Sequence, residues 1–427
     1  MKENNETTKH KSSTMSSILY PNEPTTDIIN DHPSRICMDE LPLDIVFNIF
    51  SRIPLKSLFQ FRCVSRPWCN IIDHPYLANM HIEQVGDEPT PILVFDPRLT
   101  KSTMTMSLYL LKEKGETLET SENPLLEFDL KGYCFTGSCN GLQYFTEGGD
   151  EGCVIVSNPL REEFQRLPSI EIQCPNLPRW KTYGLGFDIS TNTFKMICVF
   201  FRELNFGGSS CYGLGTLVHT VGTNTWKEID EVPTYPIYCT PVFAHGALHW
   251  LVDPFSDFDN FIVSFDVGKE KFDLIPYANL QSKDFRFFQL VDLNGDLGMT
   301  DLSYDTKIEI WVMKDYVPKK WVKEYILYIG APCRRPDNRH FKVVGLWKNG
   351  GILLKSYEGY FIYNQETGLT WYSYNRVNSS VYIHRGGLIS LSKYVVVSLL
   401  FFYIYVRYCD TGNNAAECVV VLDTNLH

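Results

Sequence analysis

The residues best equipped for chemistry are thirteen cysteines and ten histidines, and their spacing argues against it. No Cys-x-x-Cys pair occurs, and no Cys/His group has zinc-site spacing. No Walker loop, GxSxG nucleophile turn or HExxH helix is present. Gly184-Leu185-Gly186 lacks the third glycine and following helix of a nucleotide loop. His249, beside Trp250 in a strand-like run, reads as a core residue rather than a ligand. No catalytic residue, metal or cofactor is therefore expected. What remains is the chemistry of recognition. Arg334, Arg335 and Arg339 fall close together in a chain of net charge −11, and guanidinium forks suit carboxylates or phosphates. Trp180, Phe206, Phe255 and Phe258 have the size of aromatic anchors. These residues lie in four loop-like stretches, Cys174–Trp180, Glu203–Gly213, Asp253–Asp259 and Pro332–His340. An ordinary solvated loop is the competing reading for each.

Something must hold such loops in place. From Ile92 onward short apolar runs alternate with turn signals, and the region reads as all-β. Gly141, Gly246, Gly295 and Gly350 each open one turn-plus-strand signal, at spacings of 105, 49 and 55 residues. Asn precedes three of them, the pair favoured in tight hairpins. A β-repeat of about fifty residues is blade spacing, so residues 92–406 predict a propeller-like domain of about six or seven blades. A pair of β-sandwiches or an irregular barrel is the alternative.

A different pattern stands in front, in residues 39–72, DELPLDIVFNIFSRIPLKSLFQFRCVSRPWCNII. Leu41, Ile45, Ile49 and Ile53 repeat every four residues, with Val46 and Phe50 widening the stripe. Pro42 and Asp44 suit a helix start. Pro54 stops this helix and can begin a second, carrying Leu55, Leu58, Phe59 and Phe61. Ser65 is an N-cap candidate for a third, with Pro67 in its first turn and Trp68, Ile71 and Ile72 on one face. His74-Pro75 reads as the end of the unit. Such short helices are unstable alone, and their apolar supply exceeds what so small a unit buries. The surplus covers either a partner or the chain's own downstream domain.

These residues closely resemble the F-box, from Asp39 to Ile82, with Pro67 standing where that family usually carries a small or polar residue. The resemblance implies docking onto a Skp-type adaptor and, through it, a cullin of a ubiquitin ligase. Carried over by position, Leu41, Pro42, Ile45, Ile49, Pro54, Leu58, Val64 and Trp68 form the implied adaptor-binding set. Downstream, GSCNGLQYF, VSNPLREEFQRLP, YGLGFDISTNTFKMICVF, GALHWL, IVSFDVGKEKFDLIP and IEIWVMKDYVPKKWVKEY resemble, in order, the F-box-associated domain of plant F-box proteins over about 132–375. That implies a non-catalytic substrate receptor whose β-domain binds a target protein. A ubiquitin-independent interaction scaffold and a propeller enzyme or sugar binder are the other readings.

The organisation expected is therefore α+β and multidomain: a disordered lead (1–36), a helical F-box (37–82), a linker (83–91), the β-domain (92–406) and an atypical tail (407–427). The acidic balance tells against a nucleic-acid partner. Tyr394–Val406 carries no charge but is shorter than a membrane span. It reads as a buried strand, a span or an aberrant tail, and the role of Arg407–His427 is open. Unpatterned cysteines and an N-terminus without an apolar core place the chain in the cytoplasm or nucleus.

Overall fold

The computed structural model describes residues 41–84, 92–99, 104–114, 117–121, 123, 126–129, 133–147, 152–161, 163–170, 181–206, 209–252, 261–280, 287–304, 306–329, 341–347, 350–356, 359–373, 380–384, 387–391, 404–408 and 418–422. Four helices come first: α1 (Leu43–Phe50), α2 (Leu55–Arg62), α3 (Arg66–Ile72) and α4 (Pro75–Gln84). The starts predicted at Pro54 and Ser65 hold. Pro54 is extended (φ −54°, ψ 140°) and precedes α2, and its carbonyl accepts from the Ser57 and Leu58 amides at 2.9 and 3.1 Å. Ser65 is extended, and its Oγ accepts from the Trp68 amide at 3.3 Å. α4 corrects the expected end at His74-Pro75. Proline suits a first helical turn as well as it stops a preceding helix. Here His74 Nδ1 accepts from the Tyr76 amide at 3.2 Å and its carbonyl from Leu77 at 3.0 Å, so the chain turns directly into a helix. Val46, Phe47 and Phe50 of α1, Leu58, Ile72 and Leu77 form the interior. Trp68 packs edge-on against Phe50 and Phe61 at 5.3 and 5.4 Å.

The β-domain opens with β1 (Ile92–Leu99), β2 (Met104–Lys114), β3 (Thr117–Thr120) and β4 (Leu126–Asp129). Five four-stranded antiparallel blades follow. The first is β5 (Tyr133–Cys139), β6 (Leu142–Glu147), β7 (Val154–Asn158) and β8 (Glu163–Arg166). The second is β9 (Lys181–Asp188), β10 (Thr193–Phe206), β11 (Ser209–Thr220) and β12 (Lys227–Ile229). The third is β13 (Ile237–Ala244), β14 (Ala247–Val252), β15 (Phe261–Asp266) and β16 (Lys271–Pro276). The fourth is β17 (Phe288–Leu293), β18 (Asp296–Asp301), β19 (Lys307–Asp315) and β20 (Lys320–Tyr328). The fifth is β21 (Lys342–Leu346), β22 (Ile352–Ser356), β23 (Gly359–Asn364) and β24 (Gly368–Ser373).

The Asn-Gly signals are the turns between the first and second strands of a blade. Asn140/Gly141, His245/Gly246 and Asn294/Gly295 all have positive φ, as a tight hairpin turn requires. The second blade replaces this turn with Asp188–Asn192, where Asp188 Oδ1 accepts from Ser190 N at 2.9 Å and Ser190 Oγ at 2.6 Å. That substitution is why one glycine spacing was doubled.

Each core lies between successive blades. Ile197 and Val199 meet Leu248, Trp250 and Phe265. Leu251 and Ile262, on the other face of the third blade, meet Leu290, Leu297 and Met299 of the fourth. Ile308 and Ile310 meet Val343, Leu354 and Phe361. Gly186 shows how tight the contact is, because a Cβ there would lie 2.5 Å from Val267 Cγ2. The glycine is needed for blade approach, not for nucleotide binding. Two tryptophans clasp adjacent blades from outside: Trp226 Nε1 donates to the Pro168 carbonyl at 2.8 Å, and Trp321 Nε1 to Pro276 at 2.9 Å.

The count of six or seven blades is corrected to five. The remaining strands form a seven-stranded sheet, β25-β1-β2-β4-β27-β26 with β3 beside β2, where β25 is Ser380–Ile383, β26 Ile404–Tyr408 and β27 Cys418–Leu422. β25 bridges the first and fifth blades. Tyr382 stacks on Phe135 of the first at 4.7 Å, and Ile383 fills the space above Gly345 of the fifth. An average period cannot register a sheet assembled from both ends of the domain. Of the apolar run 394–406, residues 394–403 lie outside the described residues, and Ile404–Val406 belong to β26. Cys418–Leu422, in the 407–427 tail, pairs with β26 and runs parallel to β4. Among the described residues no helix is long and apolar enough to cross a membrane.

Candidate docking site

α1 must bury one face and cannot bury all of its apolar residues. Its period puts Val46, Phe47 and Phe50 inside and leaves Ile45 47 % and Ile49 42 % exposed on another face, while Leu43, at the helix start, is 60 % exposed. The stripe read as one face therefore divides in two. Val64, between α2 and α3, is 66 % exposed. Of the implied adaptor-binding set, Pro42, Ile45, Ile49, Pro54 and Val64 are open to solvent, while Leu41 and Trp68 are half-buried. Leu58 is fully buried and holds the helices together, which removes it as a direct contact. Leu43 and Tyr76 are also exposed. The Leu-Pro-Leu run held the signal for Leu43. Tyr76 lay beyond the expected end of the helices, and its ring meets Phe47 edge-on at 5.3 Å. Burying one such side chain is worth about 1.5–3 kcal/mol, so this face can anchor a partner.

Behind it lies a network of charges. The Arg62 guanidinium grips Asp73 with two bonds, Nε to Oδ1 at 2.8 Å and Nη2 to Oδ2 at 3.0 Å. Arg161, from the turn after β7, places Nη2 on the same Oδ1 at 2.9 Å. Burial alone would push the Asp73 carboxyl up. The hydrogen bond from Arg62 and the charge of Arg161 outweigh it and hold the group below its ordinary value.

The expected target-binding residues fare differently. Trp180, Phe255, Phe258, Arg334, Arg335 and Arg339 lie outside the described residues. Phe206 ends β10 in register with Ser209, so the described residues of the Glu203–Gly213 stretch extend the β10–β11 ladder. Backbone pairing continues there because the two strands exchange hydrogen bonds up to that pair. The sequence reading passed over one cationic pair: Lys342 and Lys355 face each other across β21 and β22. Desolvation lowers both lysines, and the charge of Lys342 lowers Lys355 further. His249 is a core residue, as read. Its Nδ1 lies 3.2 Å from the Val242 carbonyl and its Nε2 2.9 Å from the Tyr316 hydroxyl, and burial pushes it down to about 3. Among the described residues no group of three or more His, Cys, Asp or Glu could hold a metal.

An apolar helical face stands in front of a bladed β-domain. Residues 38–79 match the F-box domain, and residues 99–376 match the F-box associated beta propeller domain. The chain belongs to the F-box associated beta propeller family, with an F-box at its front. It is similar to the Arabidopsis thaliana F-box protein At3g49450, 26 % identical over 66 % of this chain and 72 % of that one. It also resembles F-box protein CPR1 of the same plant, 26 % identical over 67 % of this chain and 73 % of that protein. The F-box/kelch-repeat protein At3g23880 is 24 % identical over 77 % of this chain and 88 % of its own length.

Proposed function

We propose that this protein is the substrate-recognition subunit of a Skp–cullin–F-box ubiquitin ligase. The helices dock a Skp-type adaptor, and the β-domain holds a target protein. The observation that carries the reading is the exposed pair Ile45 and Ile49, one turn apart on a helix whose other face packs Val46, Phe47 and Phe50. No side-chain catalysis is required of this chain. The gain is effective concentration: a bound target lysine shares the assembly with the ubiquitin carrier, and an encounter becomes nearly intramolecular. On the target side, Arg334, Arg335 and Arg339 in the 332–340 stretch favour an acidic or phosphorylated segment. The assembly would work in the cytoplasm or nucleus.

The test is co-purification of the full chain with a purified Skp-type adaptor. Wild type is expected to bind. Ile45→Asp combined with Ile49→Asp is expected to abolish binding with the circular dichroism spectrum unchanged. A folded wild-type chain that ignores the adaptor overturns the proposal and leaves a ubiquitin-independent scaffold.

A further inference from the structure

The strongest contact not yet assigned a role ties the helices to the first blade. Asp73 caps the end of α3, and Arg161 sits in the turn between β7 and β8; their side chains are 7 % and 3 % exposed. Arg161 spends every arm of its guanidinium. Nη2 meets Asp73, Nε donates to Glu163 Oε1 at 3.1 Å, and Nη1 donates to the Leu388 carbonyl at 3.1 Å. Glu163 in turn accepts from Ser390 Oγ at 3.0 Å and from the Leu391 amide. Asn158, at the start of the same turn, donates to the Gly387 and Ile389 carbonyls at 3.0 and 2.6 Å. The fit is close, since a Cβ on Gly387 would lie 2.8 Å from Leu160 Cδ1.

One turn is thus bound to the helical module on one side and to Gly387–Leu391 on the other. Loosely tethered modules would need none of this. Two charges taken out of water are costly, and their attraction repays the cost only with good geometry and satisfied hydrogen bonds. That condition is met here. We infer that Arg161 and Asp73 form a clamp that fixes the F-box in one orientation on the first blade, so that adaptor and target sit at a set separation. The use of the clamp rests on the receptor reading; its geometry does not. Arg161 is a positioning residue in this assignment and touches neither partner.

Hydrogen exchange and small-angle scattering on the full chain test it, with Arg161→Met, Arg161→Lys, Asp73→Asn and the Asp73→Asn/Arg161→Met pair. In Arg161→Met, exchange in α3, α4 and residues 387–391 is expected to rise at least about tenfold, with the remote β14 and β18 unchanged. The radius of gyration is expected to increase. Asp73→Asn also weakens the Arg62 pair, so the double variant should lose less than the sum of the two single changes, by the amount the shared Asp73–Arg161 contact carries. Arg161→Lys should recover part of the protection. Unchanged helical exchange with unchanged scattering overturns the clamp. Uniform loss of protection through every blade overturns it too, by assigning Arg161 to general stability. No readout uses the adaptor, so a clamped chain that fails to bind adaptor sinks only the receptor reading.

Discussion

α1 and β14 are both rich in apolar residues and use them in opposite ways. All six residues of β14 are buried, because the strand has a blade on each side: Trp250 faces the second blade and Leu251 the fourth. Among the described residues α1 has neighbours on one side only. Val46, Phe47 and Phe50 are covered, and Leu43, Ile45 and Ile49 are not. Hydrophobic content does not tell a core from a docking surface; the number of neighbours the topology supplies does. A blade inside a ring has two by construction, and a short helix at the front of the chain has as many as the rest of the chain brings to it.

The largest effect should come from breaking the covered face of α1. Phe50 is 1 % exposed and supports Trp68. Phe50→Ala is expected to cost about 3–5 kcal/mol, read by denaturation followed through hydrogen exchange, and to abolish adaptor binding by unfolding the helices. Phe265→Ala in the third blade should cost as much while leaving α1 protected. If it also strips protection from α1, the two regions unfold as one and the contrast between them is weaker than drawn.

Acid should separate the regions in a second way. His249 is held at about 3 in the fold, against an ordinary value of 6.5. Below that ordinary value the unfolded chain takes a proton that the folded chain refuses. Its contribution is complete above about pH 6.5 and falls by up to about 1.4 kcal/mol per unit as pH drops, reaching about 2 kcal/mol lost at pH 5. Asp73 is shifted the same way from an ordinary 3.8, so the helical clamp loses stability only below that pH. The β-domain should therefore soften first between pH 6.5 and 4, and His249→Gln should reduce the fall in melting temperature over that range, with burial of His219 supplying a further share. A slope that survives the substitution would point to other buried groups.

Local chemistry was legible. Pro54, Ser65 and the Asn-Gly turns act within a few residues of themselves, and each sits where its spacing predicted. What depended on distant chain was not. Ile49 and Phe50 are adjacent and equally apolar, and only the helices packed on α1 decide which is core. Pro75 stops one helix and starts another, and a single proline signals both. The blade count failed because β25 pairs with β1 across almost the whole β-domain. Asp73 and Arg161 carry no mutual sequence signal at all, since each is an ordinary residue at a helix end or a turn. The F-box resemblance names Leu58 and Val64 together, and it could not tell that Leu58 lies inside and Val64 outside.

The smallest effect sharpens the comparison most. Val64 and Val317 are both bare, at 66 % and 92 % exposed, one between α2 and α3 and the other in the turn between β19 and β20. Neither supports a core, so Val64→Ser and Val317→Ser should each change stability by less than about 0.5 kcal/mol. Their consequences for binding should differ. Losing an apolar contact of about 1.4 kcal/mol weakens adaptor affinity about tenfold for Val64→Ser, and nothing is lost for Val317→Ser. Titration of the adaptor by calorimetry reads both. Equal affinities for the two variants would mean that Val64 is only a surface residue, and the docking face would shrink to α1. A loss at Val317 as well would mean that the adaptor reaches the fourth blade, and the division between a docking region and a recognition region would have to be redrawn.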